Sequence, residues 1–220
     1  MNLTVFSDSF IINGMNLKAF LPHDLLFLRP QTLLPDDAPA WAQDSIKEGL
    51  PCVVRRDFFS LEKIPVGFRG TQRRQRYGSF ISSQDVLKKF SPEDAVALLS
   101  STHLQSSQID YLKEFSEFIQ ANEELKNSVK WGVSGSFGFS LAVGRQYFRD
   151  TSDIDLVVRA NNEEELKCLA SLKSWILTPK FQLDIQIQTS KGGFSYKEWL
   201  KSKKVLLKTN TGPLLTDNPW

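Results

Sequence analysis

The chain has little that would mark a disulfide scaffold, a membrane span or a polyelectrolyte. Cys52 and Cys168 are its only cysteines, and each lies in an apolar run, so both read as reduced, buried thiols. No stretch approaches the roughly 18 consecutive apolar residues of a membrane-spanning helix. The N-terminus lacks a basic segment and carries Asp8 inside its first weakly apolar stretch, which argues against a secretory leader. A formal net charge of +2 is too small to imply a nucleic-acid or membrane partner, so any basic surface is local. Repeats and low-complexity tracts are absent. These absences point to a cytoplasmic protein. At 220 residues it is long enough for a full core in one large or two small domains.

Composition shifts along the chain. Residues 1–20 alternate weakly and read as an extension with at most one strand. Residues 21–90 hold short apolar runs broken by proline and glycine: Leu25 to Leu28, a loop from Pro30 to Pro39, a short helix over Trp41 to Lys47, and Cys52 to Arg56. Ile64 to Gly70 leads into the cluster Arg69, Arg73, Arg74 and Arg76. This is a small, strand-rich N-terminal domain. At Ser91-Pro92-Glu93-Asp94 the pattern turns helical, with serine as N-cap, proline at the first position and acids on the positive end of the dipole. A boundary near residue 90 follows, with a second domain over 91–220. Apolar spacing predicts a helix from Ser107 to Asn127. Strand, glycine turn, helix and strand follow from Trp131, then a helix from Asn161 or Asn162 to near Trp175 and a strand over Phe181 to Gln188. The fold class is α/β in the broad sense, an α+β arrangement in which a small strand-rich domain is followed by a mixed-sheet domain with flanking helices.

The chemistry is concentrated in Gly135-Ser136, Asp153-Ile154-Asp155 and Asp184. Strand side chains alternate, so Asp153 and Asp155 would share one face of a strand over Asp153 to Val158, with Ile154, Leu156 and Val158 on the other. The second strand repeats the design, with Gln182, Asp184, Gln186 and Gln188 on one face and Leu183, Ile185 and Ile187 on the other. Neighbouring strands with aligned polar faces would bring three carboxylates together. Unpaired, they would repel one another and carry raised pKa values; a divalent cation removes that cost, and oxygen-only ligands favour Mg2+ or Mn2+. The glycine turn at Ser134-Gly135-Ser136 offers backbone N–H groups and hydroxyls to phosphate oxygens. Asp-x-Asp alone is most often a solvent-facing strand edge, and Gly-Ser alone an ordinary turn. In this order and spacing the three elements resemble the nucleotidyltransferase superfamily, which implies a mixed-sheet domain with flanking helices. It also implies in-line attack of a hydroxyl on the α-phosphorus of a triphosphate at a two-metal site. Asp153 and Asp155 would bind both metals, and Asp184 would ligate one and assist deprotonation of the hydroxyl.

Motifs outside the acids narrow the likeness. His23-Asp24-Leu25-Leu26-Phe27-Leu28, Cys52-Val53-Val54-Arg55-Arg56 and Ile64-Pro65-Val66-Gly67-Phe68-Arg69-Gly70 come first. Gly192-Gly193-Phe194, Glu198-Trp199, Gly212-Pro213 and Asn218-Pro219-Trp220 follow in order. Over residues 21–220 this set resembles the phosphoribosyl-dephospho-CoA transferases, the holo-acyl-carrier-protein synthases of malonate decarboxylase; Phe27 and Phe68 stand where that family usually shows Trp and Leu. The resemblance implies 2′-(5″-triphosphoribosyl)-3′-dephospho-CoA as donor and a serine of the apo acyl-carrier subunit of malonate decarboxylase as acceptor, with pyrophosphate released. The alternatives are nucleotide transfer from ATP or CTP to RNA, protein or a small molecule, and a non-catalytic module on the same fold.

The arginines are the remaining candidates. Arg69 and Arg73 read either as part of a solvated basic loop or as a dock for polyanions, the donor's phosphates or an acidic carrier protein, for which arginine's planar fork is suited. Arg55 and Arg56, beside an apolar strand, are candidates for the same cleft. Nucleic acid is disfavoured because no aromatic-rich RNA-binding motif accompanies them. His23 and His103 read as structural, Phe137 and Phe139 as core, and Lys191-Gly192-Gly193 as a glycine turn or a loop that closes over substrate.

Overall fold

Alternating apolar residues and turn formers build an antiparallel N-terminal sheet. The computed structural model describes residues 10–12, 15–17, 20–58, 63–72, 74–177 and 180–220. It begins with a hairpin of β1 (Phe10–Ile12) and β2 (Met15–Leu17), where the sequence suggests at most one strand. Five strands then form one sheet: β3 (Leu25–Leu28), β4 (Cys52–Val54), β5 (Ile64–Arg69), β6 (Arg76–Ile81) and β7 (Val86–Phe90), in the order β6-β5-β4-β3-β7. In β5, period two turns Ile64, Val66 and Phe68 into a core shared with Leu26, Cys52 and Val54. Helix α1 (Ala40–Lys47) covers that core with Ala42 and Ile46. Gly67 of β5 faces Gly78 of β6 across the ladder, on the opposite side of the sheet from that core.

Helix α2 (Pro92–Leu98) starts as its sequence dictates. Ser91 and Asp94 form a reciprocal capping box and Pro92 occupies the first turn. The helix predicted over Ser107 to Asn127 is two helices, α3 (Ser107–Ala121) and α4 (Glu123–Ser128). Asn122 breaks it: its backbone is extended, and its side chain accepts a bond from Leu125 N at 3.0 Å, which caps the second helix instead of continuing the first. Apolar spacing alone does not register that competition.

The second sheet has six strands in the order β13-β12-β11-β10-β9-β8. Its elements are β8 (Lys130–Val133), α5 (Gly135–Val143), β9 (Ile154–Arg159), α6 (Lys173–Leu177), β10 (Leu183–Gln188), β11 (Gly193–Ser195), α7 (Tyr196–Ser202), β12 (Val205–Thr209) and β13 (Gly212–Thr216). Strands β9 and β10 run parallel and the other pairings are antiparallel, a mixed sheet. A parallel neighbour needs a crossover. Here it is a 3-10 helix over Glu164–Leu172 leading into α6, where the sequence suggests one α-helix. One face of the sheet is apolar: Leu156, Ile185, Ile187, Phe194 and Leu207 join Phe115, Leu125 and Trp199 in the larger core. The other face is polar on β10, where Asp184, Gln186 and Gln188 are half-buried. Both cysteines are buried and unpaired. Among the described residues no helix is long and apolar enough to cross a membrane.

Candidate active site

The parallel register sets the centre of the site. Asp184 of β10 is the direct ladder partner of Asp155 of β9, with Ile185 beside Leu156 and Leu183 beside Ile154. Because the strands are neighbours and the flanking apolar residues must face the core, both carboxylates emerge side by side on the polar face. Burial pushes the Asp155 carboxyl up to about 6, and the charges of Asp184 and Asp153 push the same way; Arg69 and Lys208 oppose them.

Asp153 differs from its predicted place. The strand begins at Ile154, so Asp153 sits one residue outside it, exposed at the end of a turn in which Arg149 N donates to Ser152 Oγ at 2.9 Å. Its charge reaches Asp155, yet among the described residues no three His, Cys, Asp or Glu side chains form a group that could hold a metal ion. Asp153 is the exposed member of the three, while Asp155 is half-buried. The donor set still fits a hard divalent cation, since Asp155 and Asp184 are adjacent oxygen ligands and Asp155 is short of positive charge.

The glycine turn lies against this pair. Ser134 precedes α5, and its backbone N donates to Asp155 O at 2.9 Å. Gly135 has φ of 60°, and a Cβ there would come within 2.8 Å of Asp155 Cγ, so both conformation and space demand glycine. The first bond of the helix runs from Gly138 N to Ser134 O at 2.9 Å. The N–H groups of Gly135, Ser136 and Phe137 therefore lack intrahelical partners at the positive end of the helix, next to Asp155. Ser140 fastens the other end of this unit: its Oγ donates to Ser136 O at 2.7 Å and accepts from Tyr147 N at 2.8 Å.

Between the two sheets lies a cleft of about 1000 Å3. Ser134, Gly135, Ser136, Asp153 and Asp155 line it from the second sheet and its helix, and Arg55 and Arg69 from the first. Arg55 lies across the paired glycines: a Cβ on Gly67 would come within 3.2 Å of its Cδ, and one on Gly78 within 3.1 Å of its Cζ. Arg55 also pairs with Asp57 at 3.8 Å. Arg69 is exposed on the cleft wall. Arg73 lies outside the described residues.

Arg56 does not go where the sequence suggests. It leaves the cleft and enters the seam between the sheets, donating to Gln188 Oε1 and, at 3.3 Å, to His23 Nε2. Residues adjacent on an extended chain point to opposite sides, so Arg55 and Arg56 cannot both face the cleft. Burial holds the Arg56 guanidinium below its usual range.

His23 is structural, as the sequence suggests, and it sits beside the acids. It lines the large cleft and, with Ser134, Gly135, Asp155 and Gln186, a smaller cavity of about 160 Å3. Its φ of 77° is unusual for a non-glycine residue. Burial first, then the charges of Arg56, Arg159 and Lys208, lower its pKa to about 4, so it is neutral at pH 7. The other candidates fall as core or turn: Phe137 is buried and stacks on Phe148 at 4.2 Å, while Gly192 and Gly193 are buried in the turn from β10 to β11.

Comparison with known proteins gives a consistent answer. Residues 21–92 match the family model of the phosphoribosyl-dephospho-CoA transferase MdcG N-terminal domain, and residues 99–219 match that of the C-terminal domain. A phosphoribosyl-dephospho-CoA transferase of Pseudomonas syringae pv. tomato is 36% identical over 202 residues, covering 91% of this chain and 93% of the relative. One from Klebsiella pneumoniae subsp. pneumoniae is 31% identical over 202 residues, covering 90% and 95%. No solved structure matches the chain significantly.

Proposed function

Because the chain belongs to the phosphoribosyl-dephospho-CoA transferase family, we propose that it moves phosphoribosyl-dephospho-CoA from a triphosphorylated donor to a protein serine. The donor is 2′-(5″-triphosphoribosyl)-3′-dephospho-CoA and the acceptor is the apo acyl-carrier subunit of malonate decarboxylase. The observation that carries this reading is the in-register pair Asp155 and Asp184 beside the N-terminus of α5. The chemistry is nucleotidyl transfer. The serine Oγ–P bond forms, the α–β phosphoanhydride bond breaks, pyrophosphate leaves, and the serine proton passes to a carboxylate. Asp184 suits that last task because it flanks Asp155.

The chain's own groups place the donor. The free N–H groups of Gly135, Ser136 and Phe137 meet phosphate oxygens without a side chain between. Arg55 and Arg69 face them across the cleft and hold the negative charge of the polyphosphate. A cleft of about 1000 Å3 is at the upper end of small-molecule sites and suits a donor with a pantetheine arm better than a bare nucleotide. Asp155 and Asp184, with Asp153 turned inward, would hold Mg2+ or Mn2+. When bound, such cations neutralise charge on the attacking and leaving oxygens.

The direct test is to incubate the protein with donor, Mg2+ and apo carrier, and to weigh the carrier by mass spectrometry. A gain equal to the phosphoribosyl-dephospho-CoA group supports the reading. Parallel reactions with ATP and CTP must leave the carrier mass unchanged, since nucleotide addition there would replace this function with the alternative.

A further inference from the structure

Three segments distant in sequence meet in one place that the transfer chemistry does not use. His23 comes from the turn before β3, Arg56 from just past β4, Gln188 from the end of β10, and Gly193 from the start of β11. The Arg56 guanidinium donates to Gln188 Oε1 and to His23 Nε2. It lies so close to Gly193 that a Cβ there would come within 2.8 Å of Arg56 Cζ. Gln188 Nε2 donates in turn to the carbonyls of Thr189 and Gly192, and Thr189 Oγ1 donates to Pro219 O at 2.8 Å, which ties in the C-terminal Asn218-Pro219-Trp220 segment.

Hydrogen-bond inventory fixes the state of the histidine. An arginine has five donors and no acceptor, so His23 Nε2 must be a bare lone pair and the ring a neutral Nδ1–H tautomer. The ring faces Gln186, whose Oε1 is buried with no hydrogen-bond partner; the Nδ1–H is the donor available to it. Gln186 and Gln188 follow Asp184 at period two on the polar face of β10. The N-terminal sheet therefore rests on the same strand face that carries the third acid.

Stability alone does not explain this arrangement. A buried guanidinium whose Nε has no partner is costly, and well-packed apolar residues commonly serve such a seam as well or better. What the arrangement does supply is register. Arg55 is joined to Arg56 by one peptide bond and faces the opposite way, into the cleft above Asp155.

We infer that Arg56 is a positioning residue. It locks the N-terminal sheet onto β10 through the Nδ1–H tautomer of His23 and through Gln188, and so holds Arg55 over the acids where the donor's phosphates bind. The part concerning phosphates rests on the function proposed above; the lock itself does not.

The chain has two histidines, so 15N-histidine NMR can read the lock without any substrate. The expected spectrum shows His23 neutral with Nε2 unprotonated, and Arg56→Met moves the Nε2 resonance toward that of a lone pair accepting no hydrogen bond. A His23 that is Nε2–H or cationic at pH 7 in the unmodified protein overturns the lock. The second arm is kinetic. Arg56→Met is expected to raise the donor KM by about ten-fold, the loss of one hydrogen bond to a charged group. In an Arg55→Gln background the same change should alter KM less than about two-fold, because the residue it acts through is gone. Additive losses, or an unchanged KM in folded Arg56→Met, refute positioning. Gln188→Leu should reproduce the KM effect and covers the case in which Arg56→Met does not fold. If the unmodified protein transfers nothing to the carrier, the proposed function fails while the NMR result still decides the lock.

Discussion

Asp155 and Asp184 are ladder partners on two parallel strands, so their carboxylates are neighbours by backbone geometry and not by the choice of rotamer. Charge placed there is costly without a cation. Asp155→Asn and Asp184→Asn should each reduce transfer to the carrier by at least about 1000-fold, the scale of losing a group that stabilises only the transition state. Both variants should keep the far-ultraviolet circular dichroism of the unmodified protein. Mg2+ should raise the Tm of the unmodified protein by mass action and leave that of Asp155→Asn unmoved. Thermal melts with and without Mg2+, set beside carrier mass spectra, check all of this.

Gly135→Ala tests the closeness of the helix to the acids. The added Cβ meets the Asp155 carboxylate, and φ of 60° strains any side chain. Stability should fall by about 1–3 kcal/mol. Activity should fall by more than 100-fold, since the carboxylate must move or the helix N-terminus must retreat. Urea unfolding followed by a transfer assay separates the two effects.

Gly78→Ala tests how Arg55 is held. Its Cβ would come within 3.1 Å of Arg55 Cζ, the far end of a flexible side chain, so the sheet can keep its fold while Arg55 lifts away. Stability should change by less than about 1 kcal/mol, and the donor KM should rise toward that of Arg55→Ala. Equal KM values in Gly78→Ala and the unmodified protein would mean that the bare glycine pair has no part in placing Arg55.

How much of this was readable from sequence depends on how local the cause is. The Ser91-Pro92 helix start and the alternation of Leu183-Asp184-Ile185-Gln186-Ile187-Gln188 are fixed by neighbours in the chain and are legible; the turn at Gly135 is legible too, though the Asp155 side chain that demands glycine there is not. The break at Asn122 was not, because a side-chain cap there competes with an apolar rhythm that runs straight through it. Arg56 was misplaced because strand alternation separates it from Arg55, while the group that receives it, Gln188, lies 132 residues away. The place of His23 is hidden for a similar reason. Its partners Arg56 and Gln186 come from both halves of the chain, and nothing beside it in sequence announces them.

His23 and Asp155 share the small cavity and respond to acid in opposite senses. Asp155 rises from 3.8 to about 6 on folding, so the folded chain binds its proton more tightly; that contribution is full below pH 3.8 and is lost as pH rises through about 6. His23 falls from 6.5 to about 4, so its contribution is full above pH 6.5 and is lost as pH falls through about 4. Each is worth on the order of 2 kcal/mol after allowance for solvent screening. Between pH 4 and 6.5 the two slopes oppose, and the unmodified protein should show a shallow dependence in that window. Asp155→Asn should leave the histidine slope exposed, with Tm falling on acidification. His23→Asn should leave the aspartate slope, with Tm rising on acidification. Melts at half-unit pH steps in Mg2+-free buffer measure both, and slopes of the same sign in the two variants would mean that the cavity does not couple to folding through these groups.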